Sequence, residues 1–226
     1  MAYFVAENLN QNFETVKIKV SFECEKGTMT SIVGASGSGK STVLRLISGL
    51  NQAGQNQNII LDGKNLNNVA PAKREIGMVF QSHTLFDHLK VEDNVAYGLI
   101  SSGMKKSEAR EMARNFLKEF ELEGFEKRYP ETLSGGEAQR VSLARTLIMK
   151  PKLVLFDEPL SALDAPLRKK LAQLIRNLQK NFGFTGIMVT HDLEEAKAVS
   201  DNIILMKKGT VIWQGKAGDF QESLLY

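Results

Sequence analysis

Apolar and polar residues alternate through VKIKVSFE (16–23), and a fully apolar run, TSIVG (30–34), follows the turn Glu25-Lys26-Gly27. Both patterns predict strands. The period then lengthens: STVLRLISGL (41–50) carries its apolar residues at helical spacing and a glycine near its end. NIILDG (58–63) and IGMVF (76–80) predict two further short strands. From about 91 the pattern is helix after helix, in VEDNVAYGLI, SEAREMARNFLKEFEL and GEAQRVSLARTLIM, separated by Ser-Ser-Gly and Arg-Tyr-Pro breakers.

After Pro151 strands return in KLVLFDE (152–158), GIMVT (186–190) and NIILM (202–206). Between the first two, PLRKKLAQLIRNLQKNFG sets Leu167, Leu171, Leu174, Ile175 and Leu178 on one helical face, with Lys169, Lys170, Arg176 and Lys180 read as solvated charge. A hairpin over ILMKKGTVIWQG closes the pattern. Strands alternating with helices imply an α/β fold with a mostly parallel sheet, because parallel neighbours need crossover connections. The chain is expected to be one domain over 1–226, with an antiparallel β subdomain and an α-helical subdomain, about 85–149, inserted in its core.

Two stretches carry chemistry. GASGSGKST (34–42) matches G-x-x-x-x-G-K-[ST] at Gly34, Gly39, Lys40 and Ser41, after an apolar strand and before a helix. In such a loop Ser36, Gly37 and Gly39 turn backbone N–H groups toward phosphate oxygens, and the helix N-terminus adds partial positive charge. Lys40 would reach the β- and γ-phosphates and Ser41 would ligate Mg²⁺. The second stretch, LVLFDEP (153–159), runs an apolar strand into Asp157 and Glu158, where ligands of open α/β sheets bind. Asp157 would serve the metal and Glu158 an attacking water. Gln81 and His191 each follow an apolar run and could touch the same ligand; His83 and His88 have no cysteine near them, so a zinc site is not expected.

Bulk properties narrow the classes. Apolar residues make up 42% of 226, enough for a core without covalent staples. Lys and Arg number 29 against 26 Asp and Glu, a net charge of +3 with no block of like sign, so no nucleic acid partner is expected. The single cysteine, Cys24, excludes an intrachain disulfide, suits a reducing cytosol and reads as a small buried apolar residue. MAYFVAENLN has no basic residue before its apolar patch, so a signal peptide is not expected. No apolar run approaches the roughly 18–20 residues that cross a bilayer, so any membrane role would come through a partner.

Taken in order, GASGSGKST, Gln81, LSGGEAQR (133–140), LVLFDEP, SALD (161–164) and His191 resemble the ATP-binding-cassette ATPases over nearly the whole chain. The resemblance implies a P-loop NTPase core that binds and hydrolyses ATP with Mg²⁺. Lys40, Ser41 and Thr42 would hold phosphate and metal; Gln81 would sense metal and water; Asp157 would support the metal. Glu158 would be the general base and His191 the γ-phosphate contact. Ser134, Gly135 and Gly136 would clamp nucleotide held by a second subunit in a head-to-tail dimer, and Asp164 would link the two sites. A loop aromatic usually stacks on adenine in this family; Phe13 is the candidate, with Tyr3 and Phe4 as alternatives.

MVFQSHTLFDHLKVEDNVAYGL resembles importer-type cassettes, in which Leu85, Phe86 and Leu89 would line a groove for the membrane subunit; Asp87 stands where importers commonly have Pro. The implied partners are a second ATPase subunit, transmembrane permease subunits and an extracytoplasmic solute-binding protein. The implied location is the cytoplasmic face of the membrane, peripheral. With nothing after WQGKAGDFQESLLY, the reading favours short cassettes for thiamine, amino acids or similar solutes. An exporter or lipoprotein-extruding cassette is the alternative, and a non-transport cassette acting on ribosomes or DNA a further one. Glu137, where the family most often has Gln, would either repel the triphosphate or accept backbone N–H bonds in the first helical turn.

Overall fold

Strand β3 (Met29–Val33) is buried at every residue, as a strand covered on both faces must be. It lies between β9 (Asn202–Lys207) and β8 (Thr185–Thr190), parallel to both; β7 (Leu153–Asp157) and β6 (Ile76–Val79) continue the parallel array. In this computed structural model, which describes residues 2–12, 17–52, 54 and 56–225, one ten-stranded sheet runs through the chain. Beyond β9 come β10 (Thr210–Lys216), β2 (Lys17–Cys24), β1 (Phe4–Asn12), β4 (Asn58–Leu61) and β5 (Lys64–Asn65). β2, β1, β4 and β5 pair antiparallel, and this half joins the rest through Thr210 opposite Lys19.

Successive strand residues point to opposite faces, and that division builds two cores. Leu153, Leu155, Ile187 and Val189 pack with α1 (Lys40–Ser48) and with Ile18, Val20 and Phe22 of the antiparallel half. Val154, Phe156 and Met188 face the other way, onto α5 (Ala165–Phe182) and three helices that lie between β6 and β7: α2 (Val91–Ser101), α3 (Lys106–Leu117) and α4 (Gly135–Leu147). A short helix, α6 (Leu193–Val199), packs Ala196 against Val33, Ile203 and Leu205.

Strand β1 has no counterpart in the sequence expectation, because its burial does not alternate and Asn8 takes a left-handed φ of 50° at a register shift between Ala6 and Leu9. That strand removes one adenine candidate: Phe4 is fully buried, its ring 5.9 Å from that of Phe22. Tyr3 lies under the Lys26 ammonium, and Phe13 falls outside the described residues. Arg176 is not a solvated charge; it pairs with Asp201, whose other role is to accept the Met29 N–H. Cys24 is buried, and burial pushes its thiol up to about 12.

The segment from α2 to α4 is tied by Glu92, whose side chain is 1% exposed and accepts from Arg114 (2.8 Å) and Lys127 (2.9 Å). Burial alone would raise its carboxyl, but the hydrogen bonds from Lys127 and Arg114 outweigh it and leave the group below its ordinary 4.5. A carboxyl lowered on folding stabilises above the unfolded value and loses that contribution as pH falls through the folded one. Glu92→Gln should therefore cost about 2 kcal/mol at pH 7, the worth of hydrogen bonds to a charged group, and less in acid. Urea unfolding at pH 7 and at a pH well below 4.5 measures both; an equal loss at the two values would show that charge is not the cause.

Candidate functional site

The C-terminal ends of four parallel strands deliver the candidate residues to one edge. Val33 is level with Thr190, Asp157 with Val189, and Val79 with Phe156. The next residues are therefore Gly34 after β3, Glu158 after β7 and His191 after β8, with Gln81 two residues beyond β6. Ligands of open α/β sheets bind at such a crevice.

The loop from Gly34 to Gly39 owes its path to positions where a side chain cannot stand. A Cβ at Gly34 would lie 2.2 Å from the Met206 carbonyl oxygen. Gly39, at φ 96°, is the residue before α1, and a Cβ there would lie 2.0 Å from Ile18 Cδ1. Ser36 and Gly37 are exposed, while Ser38 is buried with no hydrogen-bond partner for its hydroxyl among the described residues. Lys40 is 4% exposed and donates to the carbonyls of Gly34 (2.8 Å) and Ala35 (3.0 Å). Burial lowers its ammonium from the usual value, with Glu158 and Asp157 pulling the other way. Thr42 is half-buried one residue after Ser41.

Ser41 Oγ donates to Asp157 Oδ1 at 2.6 Å, so the first turn of α1 meets the end of β7. Glu158 leaves the strand at φ 45°, an uncommon conformation for a residue with a Cβ. Its N–H donates to the Val189 carbonyl at 3.0 Å, and its carboxylate lies 3.2 Å from His191 Nδ1. Asp157 and Glu158 are thus aimed at different partners, one at the loop helix and one at His191. Gln81 is exposed at the same edge.

Ser134 and Asp164 both begin helices. Ser134 caps α4 in a capping box: its N–H donates to Glu137 Oε2 (2.7 Å) and the Glu137 N–H to Ser134 Oγ (3.4 Å). Glu137 therefore accepts a backbone N–H, as a first-turn acid should, and this bond from Ser134 is the main cause of its lowered pKa. Gly135 is exposed; Gly136 is buried where a Cβ would lie 2.7 Å from Leu167 Cδ2. Asp164 accepts the Leu167 N–H (2.9 Å) at the start of α5. Among the described residues no hydrogen bond joins residues 134–136 to 34–42, so the two glycine-rich helix starts are separate in the chain.

The box predicts how Glu137 behaves. Glu137→Ala should lose about 1 kcal/mol with the cap, whereas Glu137→Gln, which still accepts, should leave both stability and ATP-driven self-association unchanged. Thermal unfolding and sedimentation with ATP check the pair; tighter association of Glu137→Gln would restore the repulsive reading.

Sequence reading passed over Arg168, Asp192 and Glu195. Arg168 donates to Asp192 and to the Leu163 carbonyl, and Glu195 accepts from Thr190. The one local signal was the Asp192–Glu195 spacing, which caps α6.

A family model described as ABC transporter matches residues 18–161. The Fe(3+) ions import ATP-binding protein FbpC of Brucella abortus (strain 2308) is 46% identical over 219 residues, 96% of this chain and 62% of that protein. Its namesake in Escherichia coli O157:H7 is 44% identical over 214 residues, 94% of this chain and 61% of that protein. The chain thus spans about three fifths of the length of these curated relatives. Among solved structures, cbiO1 from Clostridium perfringens, described as part of the ABC transporter complex cbiONQ, superposes with a TM-score of 0.85 at 29% identity, covering 96% of this chain and 90% of that one. A dimeric post-hydrolysis state of the ATP-binding cassette MJ0796 bound to ADP and Pi gives a TM-score of 0.82 at 33% identity, covering 96% and 100%. With the family model over more than half of its residues and relatives this similar along nearly its whole length, the chain belongs to the ABC transporter family of ATP-binding proteins.

Proposed function

We propose that the chain is the ATP-hydrolysing subunit of an ABC importer. The observation that carries this reading is the meeting of the Ser41–Asp157 pair and the Glu158–His191 pair beside the phosphate loop. In it, N–H groups of Ser36 to Ser41 cradle the phosphates, with Thr42 behind them, and Lys40 exchanges the Gly34 and Ala35 carbonyls for phosphate oxygens. The hydroxyl of Ser41 and the carboxylate oxygens of Asp157 form an all-oxygen set that suits Mg²⁺, with Gln81 as a further oxygen from the same edge. Bound there, Mg²⁺ would neutralise charge on the transferring phosphoryl group. Glu158 accepts the proton of the attacking water, and His191, held against Glu158, contacts the γ-phosphate side.

The separate helix start at Ser134, Gly135 and Gly136 is the half-site offered to a second copy of the chain, with Asp164 near the seam; the dimeric state of MJ0796 supports this arrangement. No helix among the described residues is long and apolar enough to cross a membrane. In this reading the chain acts peripherally, on the cytoplasmic face, beneath permease subunits and with a solute-binding protein outside. Ferric iron is the first cargo to test, because the relatives named above are Fe(3+) import proteins rather than the thiamine or amino-acid cassettes that the sequence reading favoured.

Phosphate release from ATP by the purified chain, with and without Mg²⁺, tests the activity. Purification from native membranes identifies the membrane subunit, and uptake of radioactive Fe³⁺ by cells with and without the chain tests the cargo. A chain that releases no phosphate, alone or with its membrane subunit, ends the reading.

A further inference from the structure

Two turns flank the chemistry at the far side of the site: Leu163-Asp164, before α5, and His191-Asp192, before α6. One side chain spans them. Arg168 Nη2 donates to the Leu163 carbonyl at 3.1 Å, Nη1 donates to Asp192 Oδ2 at 3.1 Å, and Nε lies 3.5 Å from Glu195 Oε1. Glu195 is 7% exposed and accepts the Thr190 hydroxyl at 2.7 Å; that same hydroxyl accepts the Asp192 N–H at 3.0 Å. The residues on both sides of His191 are therefore fixed by one network. The imidazole itself is 58% exposed, and among the described residues its hydrogen-bond partner is Glu158.

The placing of Arg168 is not explained by its own helix. It sits in the first turn of α5, where the helix dipole disfavours a cation. Its two hydrogen-bond acceptors, the Leu163 carbonyl and Asp192 Oδ2, come from two segments, with the Glu195 carboxylate 3.5 Å from Nε, a spread that suits a planar, many-donor guanidinium.

We propose that Arg168 is a positioning residue that holds the Asp164 turn and the His191 turn in fixed register, so that the γ-phosphate contact and the residue at the subunit seam move as one unit. The proposal rests on the ATPase reading above. Arg168 touches no substrate in this scheme; it acts through His191.

The test uses the full chain with Arg168→Met, His191→Ala and the double variant, read as kcat and KM for ATP, single-turnover phosphate release and thermal unfolding. Arg168→Met should lower kcat by about tenfold, the scale of a small misplacement of a catalytic group. KM and the unfolding temperature should stay close to wild type, and the double variant should be no slower than His191→Ala alone. If Arg168→Met does not fold, Asp192→Asn, which keeps the cap acceptor of α6 and removes only the charge facing Arg168, should show the same kcat loss in smaller measure. An unchanged kcat, or losses that multiply in the double variant, would overturn the proposal and leave Arg168 a structural residue. A wild-type chain without ATP hydrolysis would overturn the ATPase reading and the proposal with it. An active wild type with an indifferent Arg168 would sink the proposal alone.

Discussion

Glu158→Gln should bind ATP with wild-type affinity and hydrolyse it about 10²–10⁴ times more slowly, the usual worth of a general base. The amide keeps the size of the side chain and can still accept from His191, so the geometry at 3.2 Å has no reason to change. What it loses is the ability to take a proton from water. The backbone adds a second constraint: Glu158 stands at φ 45°, held by the Val189 carbonyl on its N–H and by Ser161, whose hydroxyl donates to the Glu158 carbonyl at 2.9 Å. A carboxylate fixed through its own main chain is aimed, and shortening it should be as damaging as neutralising it. Glu158→Asp is therefore expected to be nearly as slow as Glu158→Gln. Single-turnover phosphate release, with nucleotide binding measured separately, decides the matter. Wild-type turnover in Glu158→Gln would remove the base assignment, and fast turnover in Glu158→Asp would remove the argument from aim.

Lys40→Ala should lose ATP binding about 10²–10⁴-fold. Two charge-assisted hydrogen bonds to phosphate, at about 1.5–3 kcal/mol each, set that scale. The effect on folding should be slight, because Lys40 is 4% exposed and its ammonium, lowered by burial, has among the described residues the carbonyls of Gly34 and Ala35 as its hydrogen-bond partners. Removing it deletes two bonds and relieves a desolvated charge together. Titration calorimetry with ATP and a thermal melt of the same sample separate the two effects. A variant that binds ATP as tightly as wild type would show that the loop backbone alone holds the phosphates.

The phosphate loop was legible in the sequence because its requirements are local. Residues that must lie at positive φ or leave no room for a Cβ are glycine, and three of them, Gly34, Gly37 and Gly39, fall with Lys40 and Ser41 within eight positions. Asp157 and Glu158 were legible because the apolar strand before them admits only one edge at which it can end. Glu137 was legible as a first-turn acceptor of backbone N–H bonds, one of the two readings open to it, because its partner Ser134 is only three residues away. What escaped was set by distance along the chain. Arg168 meets Asp192 across 24 residues and Arg176 meets Asp201 across 25, and a single sequence gives no sign which of several cations on α5 has such a partner. Strand β1 escaped for another reason: its bulge at Asn8 breaks the period by which strands are recognised.

The contact between Ile18 and Gly39 has a consequence for which substitutions the loop can tolerate. Ile18 belongs to the antiparallel half of the sheet, is 1% exposed, and stands where any Cβ at position 39 would have to go. Trimming Ile18 would open that space, yet the left-handed φ of 96° would still exclude an alanine. The two constraints are independent, so no compensating change in β2 can release the glycine. The reverse does not hold: β2 can drift only while it keeps a side chain that floors the loop. A residue far from any phosphate thereby inherits part of the loop's intolerance to change.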